Sequence, residues 1–187
     1  MDVIEDSQSL LKANRNDFQS YRAFTSYFQK LRAIDEQSFL LGVAMAYSWM
    51  PTIPKIDVEN IIPSIPALNH FLDTGEIEDE DVVQMVSVVN NSIVGASKLL
   101  HFIRPDVIPI WDSRVYRYMT QNEPNHHQMK KIENFLMFRD FCTNSLSHPE
   151  INKLLINVKE IAQDVTPIRS IELVMYSKGY PKPKPQV

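Results

Sequence analysis

The residues of this chain best suited to chemistry gather between Val94 and Tyr118, in VGASKLLHFIRPDVIPIWDSRVYRY. A lysine (Lys98), a histidine (His101), three arginines (Arg104, Arg114, Arg117), an isolated tryptophan (Trp111) and a carboxylate (Asp112) stand around a proline-bounded turn. Asp112 precedes SRVYRYM, a helical run, so it either caps that helix through the first N–H groups or is free to act on a substrate. Arg114 and Arg117 are three apart and share a helix face, where they bind phosphate or pair with carboxylates of the fold; the acidic segment 73–81 is a ready source of those. Lys98 reads as a cation on the polar face of an amphipathic helix. His101, three residues on, lines the same side or is an interior histidine with its partners satisfied. Trp111, after a Pro-Ile pair, reads as a core anchor whose N–H finds a carbonyl.

In its motifs this stretch resembles the helix-hairpin-helix DNA glycosylase superfamily. Ser92-Ile93-Val94-Gly95-Ala96-Ser97-Lys98 matches the hairpin that opens a helix, and Ile110-Trp111-Asp112-Ser113-Arg114-Val115 matches the aspartate motif that starts the next one. The resemblance implies that backbone N–H groups at Val94, Gly95 and Ala96 hold a DNA phosphate at a helix N-terminus. It implies that Asp112 stabilises a sugar cation or activates water as a base leaves. Lys98 would then be the amine that attacks the sugar in lyase-competent members, and Trp111 or Tyr116 would stack on a flipped base. Arg114, Arg117 and His101 complete the expected substrate contacts. The activity so implied is removal of a damaged or modified base, or DNA binding without catalysis.

Elsewhere the candidates are weaker. His126-His127 follow Pro124 with no acid or cysteine at helical ligand spacing, so no metal site is read there. Cys142, the one cysteine, stands among Phe138, Phe141 and Leu146 and reads as core, and no disulfide framework is possible. The Trp49-Met50-Pro51-Thr52 corner stops a helix and is a candidate pocket wall. Glu172 follows Arg169 by three residues on an otherwise apolar helix, which suggests an internal ion pair. With neither a dinucleotide fingerprint nor a metal constellation, no cofactor is implied.

Charge is unevenly spread. The formal net charge is −4, but residues 57–81 hold eight acids and no Lys or Arg, whereas 98–139 hold seven bases against four acids. The basic stretch permits a DNA partner. The acidic 73–81 segment suits a basic protein partner, and the competing reading is a non-catalytic helical interaction protein such as a regulatory or defence-system subunit. The N-terminus lacks the basic and apolar regions of a signal peptide, and no apolar run reaches the roughly 18 residues of a membrane span, so the expected location is cytoplasmic.

The elements that must position these residues are helical. Among 187 residues 44% are hydrophobic and only 4 are glycine, which disfavours a turn-rich β fold. Periodicity predicts an amphipathic helix after Asp17, a second from Asp35 to the approach of Pro51, and an extended connection over the proline-rich 51–66 with a short turn near 58–62. Residues 81–103 read as two helices joined by a tight turn at Asn90-Asn91-Ser92, or one helix with a weak point. Further helices are expected at SRVYRYM, roughly 127–145, roughly 149–163 with Pro149 in the first turn, and roughly 167–178 between Thr166-Pro167 and Gly179. The sum is one all-α domain over 1–178 with about eight helices and possible lobes at 1–80 and 81–178, followed by a disordered Pro/Lys-rich tail at 179–187.

Overall fold

A computed structural model describes residues 2–10 and 15–180, with side chains from 2–10 and 19–180. The chain is all-α: every regular element is a helix, and β pairing among the described residues is limited to one bridge between Ile56 and Val89. Eleven α-helices are present among them, more than the sequence suggested, because two short helices and a proline-bearing one escape periodicity.

Helix α1 (Val3–Asp6) is a single turn whose first N–H groups are taken by the Asp2 carboxylate. Helix α2 (Arg15–Gln29) begins ahead of Asp17, which therefore lies inside the first turn rather than capping it. Helix α3 (Glu36–Tyr47) starts as expected. Asp35 Oδ1 accepts the Ser38 N–H at 2.8 Å and Ser38 Oγ accepts the Asp35 N–H at 2.8 Å, a reciprocal cap; the Ser38 hydroxyl, 2.6 Å from Asp35 Oδ1, and then the Ser38 N–H hold the Asp35 carboxyl below the usual carboxylate range.

The largest departure is at the prolines. Helix α4 (Ile61–Thr74) takes in both Pro63 and Pro66, so the irregular connection ends at the short 3₁₀ turn Val58–Asn60. The first N–H groups of a helix have no intrahelical partner, so Pro63 in that turn forfeits no bond. Pro66 does forfeit one to Ile62, but Ile62 is exposed and its carbonyl can turn to water. Gly75 ends α4 in the left-handed region at φ 79°. Arg104 closes this end: its Nη1 donates to Leu72 O at 3.3 Å while Nε and Nη2 grip Asp106 at 3.0 and 2.8 Å.

Helix α5 (Asp79–Val88) opens with three acids, which the positive end of its dipole favours. It is joined to α6 (Ile93–Ile103) by a tight turn in which Asn90 and Asn91 take φ of 60° and 47°, and Ser92 caps α6. Of the two alternatives left open at 81–103, the chain adopts two helices. Asparagine tolerates the left-handed conformation that such a turn demands.

Helix α7 (Ser113–Thr120) follows Asp112. The single helix expected over 127–145 is instead α8 (His126–Lys130) and α9 (Ile132–Ser145), broken where Lys131 becomes extended. Asn134 Nδ2 donates to Gln128 O at 2.9 Å and ties the break together. Helix α10 (Ile151–Lys159) starts after Pro149, which lies in the preceding turn. Helix α11 (Pro167–Lys178) runs from a Thr166 cap to Gly179, as its flanking residues predicted. Of the residues expected to form a disordered tail, Gly179 and Tyr180 are described, and 181–187 lie outside the described residues.

The chain divides into two compact units, Met1–Ala13 with Trp111–Val187 and Asn14–Ile110. The division does not fall at 80/81, because α5 and α6 pack on α2, α3 and α4 of their own unit. In the 14–110 unit, Phe28, Phe39, Leu68, Phe71, Met85 and Leu99 are fully buried. In the other, α7, α9 and α10 pack on α11 around Trp111, Phe135 and Phe138, and α1 rests on α10 and α11.

The short α1 is held by a half-buried hydrogen bond that no periodicity announces: the Tyr118 hydroxyl of α7 donates to Asp6 Oδ2 at 2.6 Å. Burial, then the Asp6 carboxylate, raises the Tyr118 pKa above its ordinary value. A tyrosine whose folded pKa exceeds its unfolded value adds stability that is complete below pH about 10 and is lost as pH rises beyond it, since the unfolded chain ionises first. Tyr118→Phe is expected to cost about 1.5–3 kcal/mol near neutrality, as befits a bond to a charged acceptor. In urea unfolding the gap between wild type and variant should narrow as pH climbs past about 10; a constant gap would contradict the assignment.

Candidate functional site

The residues singled out in the sequence fall on both units. Gly95, Lys98 and His101 lie on α6 of the 14–110 unit; Trp111, Asp112, Arg114, Tyr116 and Arg117 lie at and on α7 of the other.

Helix α6 is buried on nearly every side, with only Val94 half-exposed between Ile93 and Ile103. Its polar residues have therefore been drawn into internal bonds. Gly95 N–H donates to Ser92 Oγ at 3.2 Å and Ala96 N–H to Ser92 O at 2.9 Å, so two of the three donors expected to hold a phosphate are already spent. Gly95 is glycine for a different reason. The Tyr47 ring lies over it, and a Cβ would come within 2.7 Å of the Tyr47 hydroxyl oxygen.

Lys98 is not a solvated cation: it is 5% exposed and its Nζ donates to Trp49 O at 3.3 Å, tying α6 to the turn after α3. His101 is fully buried. Its Nδ1 lies 2.5 Å from Ile108 O, and since a carbonyl only accepts, Nδ1 carries the proton. Nε2, 3.1 Å from the Tyr21 hydroxyl, accepts from it in the neutral ring. Both nitrogens are occupied, which corrects the expectation that His101 meets substrate. Trp49 joins Tyr21, Phe24 and Phe102 in an aromatic cluster, with its Nε1 donating to Ser20 Oγ at 3.2 Å.

The arrangement around α7 is more open. Trp111 is core, as its position suggested: 1% exposed, Nε1 donating to Met129 O at 3.1 Å, with Tyr116 packed edge-on against it. Neither ring is presented for stacking on a base, which corrects that expectation. Asp112 is half-buried and caps α7, its Oδ1 accepting the Arg114 N–H at 2.8 Å. Among the described residues the one other hydrogen bond to it, from Ser113 Oγ at 3.5 Å, falls on the same oxygen, so Oδ2 is left without a described partner. Arg117 is spent on Glu123, its Nε donating to Oε2 at 2.8 Å.

Arg114 does not take the carboxylate-pairing alternative read from the sequence. Among the described residues no carboxylate pairs with its guanidinium, and its Cζ lies 4.4 Å from the ring centre of Tyr176 and 3.9 Å from that of Tyr180. Both tyrosines come from the end of α11, which packs along α7. They are functional candidates that the sequence reading missed; an arginine near two distant tyrosines leaves no local signal. Tyr176 also feels Asp112. Burial raises its pKa most, Arg114 opposes that, and the Asp112 carboxylate adds to it.

The remaining candidates resolve as structure. Arg169 and Glu172 form a buried ion pair within α11. Cys142 is fully buried, and burial, aided by Glu172, pushes its thiol well above the ordinary range. His126 and His127 are exposed, and no group of three or more His, Cys, Asp or Glu that could hold a metal occurs among the described residues. The acidic segment is largely exposed and supplies the first turn of α5.

Close contact between α11 and α7 depends on Gly179. A Cβ there would lie 1.9 Å from the Arg114 carbonyl oxygen, a backbone atom with little room to retreat. Gly179→Ala is expected to destabilise the protein by about 1–3 kcal/mol through overpacking, read as a lower urea midpoint, although alanine is normally the milder residue at a helix end. An unchanged midpoint would show that the two helices are not held this closely.

No curated protein and no solved structure matches the chain. A family model does, over residues 59–179, from the turn before α4 to the Gly179 that meets Arg114. The match takes in α4 through α11 and so includes α6, Asp112 and Arg114. The chain belongs to the family of unknown function DUF6308.

Proposed function

We propose that this chain is a DNA-directed protein of the helix-hairpin-helix glycosylase type, which hydrolyses the N-glycosidic bond of a damaged or modified base. The observation that carries this reading is Asp112, a half-exposed carboxylate that caps α7 with one oxygen and keeps the other without a described partner. A carboxylate fixed by a helix N-terminus has little freedom to reorganise, which is what stabilisation of a developing sugar cation requires. In the step proposed, the bond from C1′ to the base nitrogen breaks, and the electron pair leaves with the base, which gains a proton. Water adds to C1′ and gives its proton to Asp112. The tight turn between α5 and α6, with Ser92 capping α6, accords with the hairpin of the resemblance.

Lys98 has no place in this chemistry. Its amine is buried on the Trp49 carbonyl, and the reaction proposed is hydrolysis without a lyase step.

The test is incubation with duplexes carrying a panel of damaged and modified bases, followed by alkali cleavage at abasic sites. Asn caps about as well as Asp, so Asp112→Asn is expected to leave the melting temperature nearly unchanged while excision falls about a hundredfold or more. Excision unaltered in Asp112→Asn removes Asp112 from the chemistry. Absence of product on every substrate, together with no salt-sensitive DNA binding, favours the interaction-protein reading instead. For Lys98, borohydride is expected to trap no covalent adduct with wild type, and Lys98→Met is expected to cost stability rather than excision. A trapped adduct lost in Lys98→Met would restore the nucleophile role.

A further inference from the structure

We infer that Arg114, held over the rings of Tyr176 and Tyr180, receives a phosphodiester of a nucleic-acid strand, and that the two tyrosines are its positioning residues. This rests on the nucleic-acid half of the reading above and names a contact for it.

The argument begins with what the other arginines of the basic stretch do. Arg104, Arg117 and Arg139 each donate to a neighbouring acid, Asp106, Glu123 and Asp140, at 2.8 to 3.2 Å. Arg114 makes no hydrogen bond or ion pair through its guanidinium to any described residue, yet it is half-buried and fixed in place. Two aromatic faces within 4.4 Å of Cζ restrain a planar cation while consuming none of its N–H donors. The donors lie in the guanidinium plane, in a fork that matches two oxygens of a phosphate. A restrained fork loses less side-chain entropy when the anion arrives.

Access is built in, because Tyr176 is 36% and Tyr180 51% exposed. The nearby Asp112 decides between anions. Its carboxylate opposes a free phosphate carrying nearly two negative charges more strongly than a phosphodiester carrying one.

The experiment is fluorescence anisotropy of labelled, undamaged single-stranded and duplex oligonucleotides over a salt series, with the full chain and four variants, each checked by thermal unfolding. Arg114→Gln is expected to weaken binding about tenfold and to lower the slope of log affinity against log salt by about one. Arg114→Lys should keep the slope but recover only part of the affinity, since an ammonium is not a fork. Tyr180→Phe should bind as wild type, and Tyr180→Leu should weaken binding although it changes no charge. Unchanged affinity and slope in Arg114→Gln would overturn the proposal, as would equal binding by Tyr180→Leu and Tyr180→Phe, or a wild type that binds neither oligonucleotide at low salt. If Tyr180→Leu does not fold, the comparison of Arg114→Gln with Arg114→Lys decides. Because the oligonucleotides carry no lesion, binding that depends on Arg114 in a protein without excision would retire the Asp112 chemistry alone. Excision that survives in Arg114→Gln with unaltered binding would retire this inference alone.

Discussion

The constraint on which the 14–110 unit depends is the burial of α6. A helix that is apolar around almost its whole circumference cannot lie on a surface, so α2, α3 and α5 close over it. Every polar head it carries must then find a partner inside, since an unpaired buried donor costs about 1–3 kcal/mol and a charge more. Lys98 reaches the Trp49 carbonyl, and His101 is bound at one nitrogen by Ile108 and at the other by Tyr21. These bonds also fix the elements flanking α6: the turn after α3, the strand-like run after α6, and the inner face of α2. The residues that look most chemical in the sequence are therefore the ones the fold has committed to holding itself together.

The same rule explains why His101 does not serve as an acid or base. Its Nδ1 proton is spoken for by a carbonyl that cannot return one, and its Nε2 is covered by a tyrosine hydroxyl in a fully buried setting. A proton shuttle needs a nitrogen that meets substrate or water. Asp112 differs because capping uses only one carboxylate oxygen, so the structural role and a chemical one are compatible in a single side chain.

Much of the fold was legible because caps and stops are local chemistry. Asp35, Asp112, Thr166 and Gly179 mark helix ends as the sequence suggests, each by a side chain or backbone geometry that depends on its immediate neighbours. The prolines of α4 mislead for a physical reason: Pro63 lies in the first turn, where no bond is removed, and the bond that Pro66 forfeits leaves a carbonyl at the exposed Ile62. Lys98 was read as solvated from its charge alone. The better signal was present in the absence of any other charged residue from Ile93 to Ile103, which argues for burial on all sides. What no local pattern carries is pairing at long range. Tyr118 with Asp6 and Arg114 with Tyr176 and Tyr180 are brought together by a fold in which α7 packs against α11 and α1 rests on α10 and α11, and their separations along the chain bear no periodic relation.

Stability alone does not account for the surroundings of Arg114. A cation in the first turn of a helix meets the positive end of the dipole, which costs a few tenths of a kcal/mol, and an acid is the residue that position favours. Among the described residues no carboxylate pairs with its guanidinium in compensation. The fold offers two tyrosine rings, worth about 0.5–2 kcal/mol, and brings them near through a glycine that has no alternative at 179. An ion pair would have offset the same charge with less construction, as it does for Arg104, Arg117 and Arg139, but it would also have consumed the donors. Aromatic restraint keeps the charge, the plane and the N–H fork intact beside a carboxylate with an oxygen to spare, and that combination is what distinguishes this end of α7 from the rest of the basic stretch.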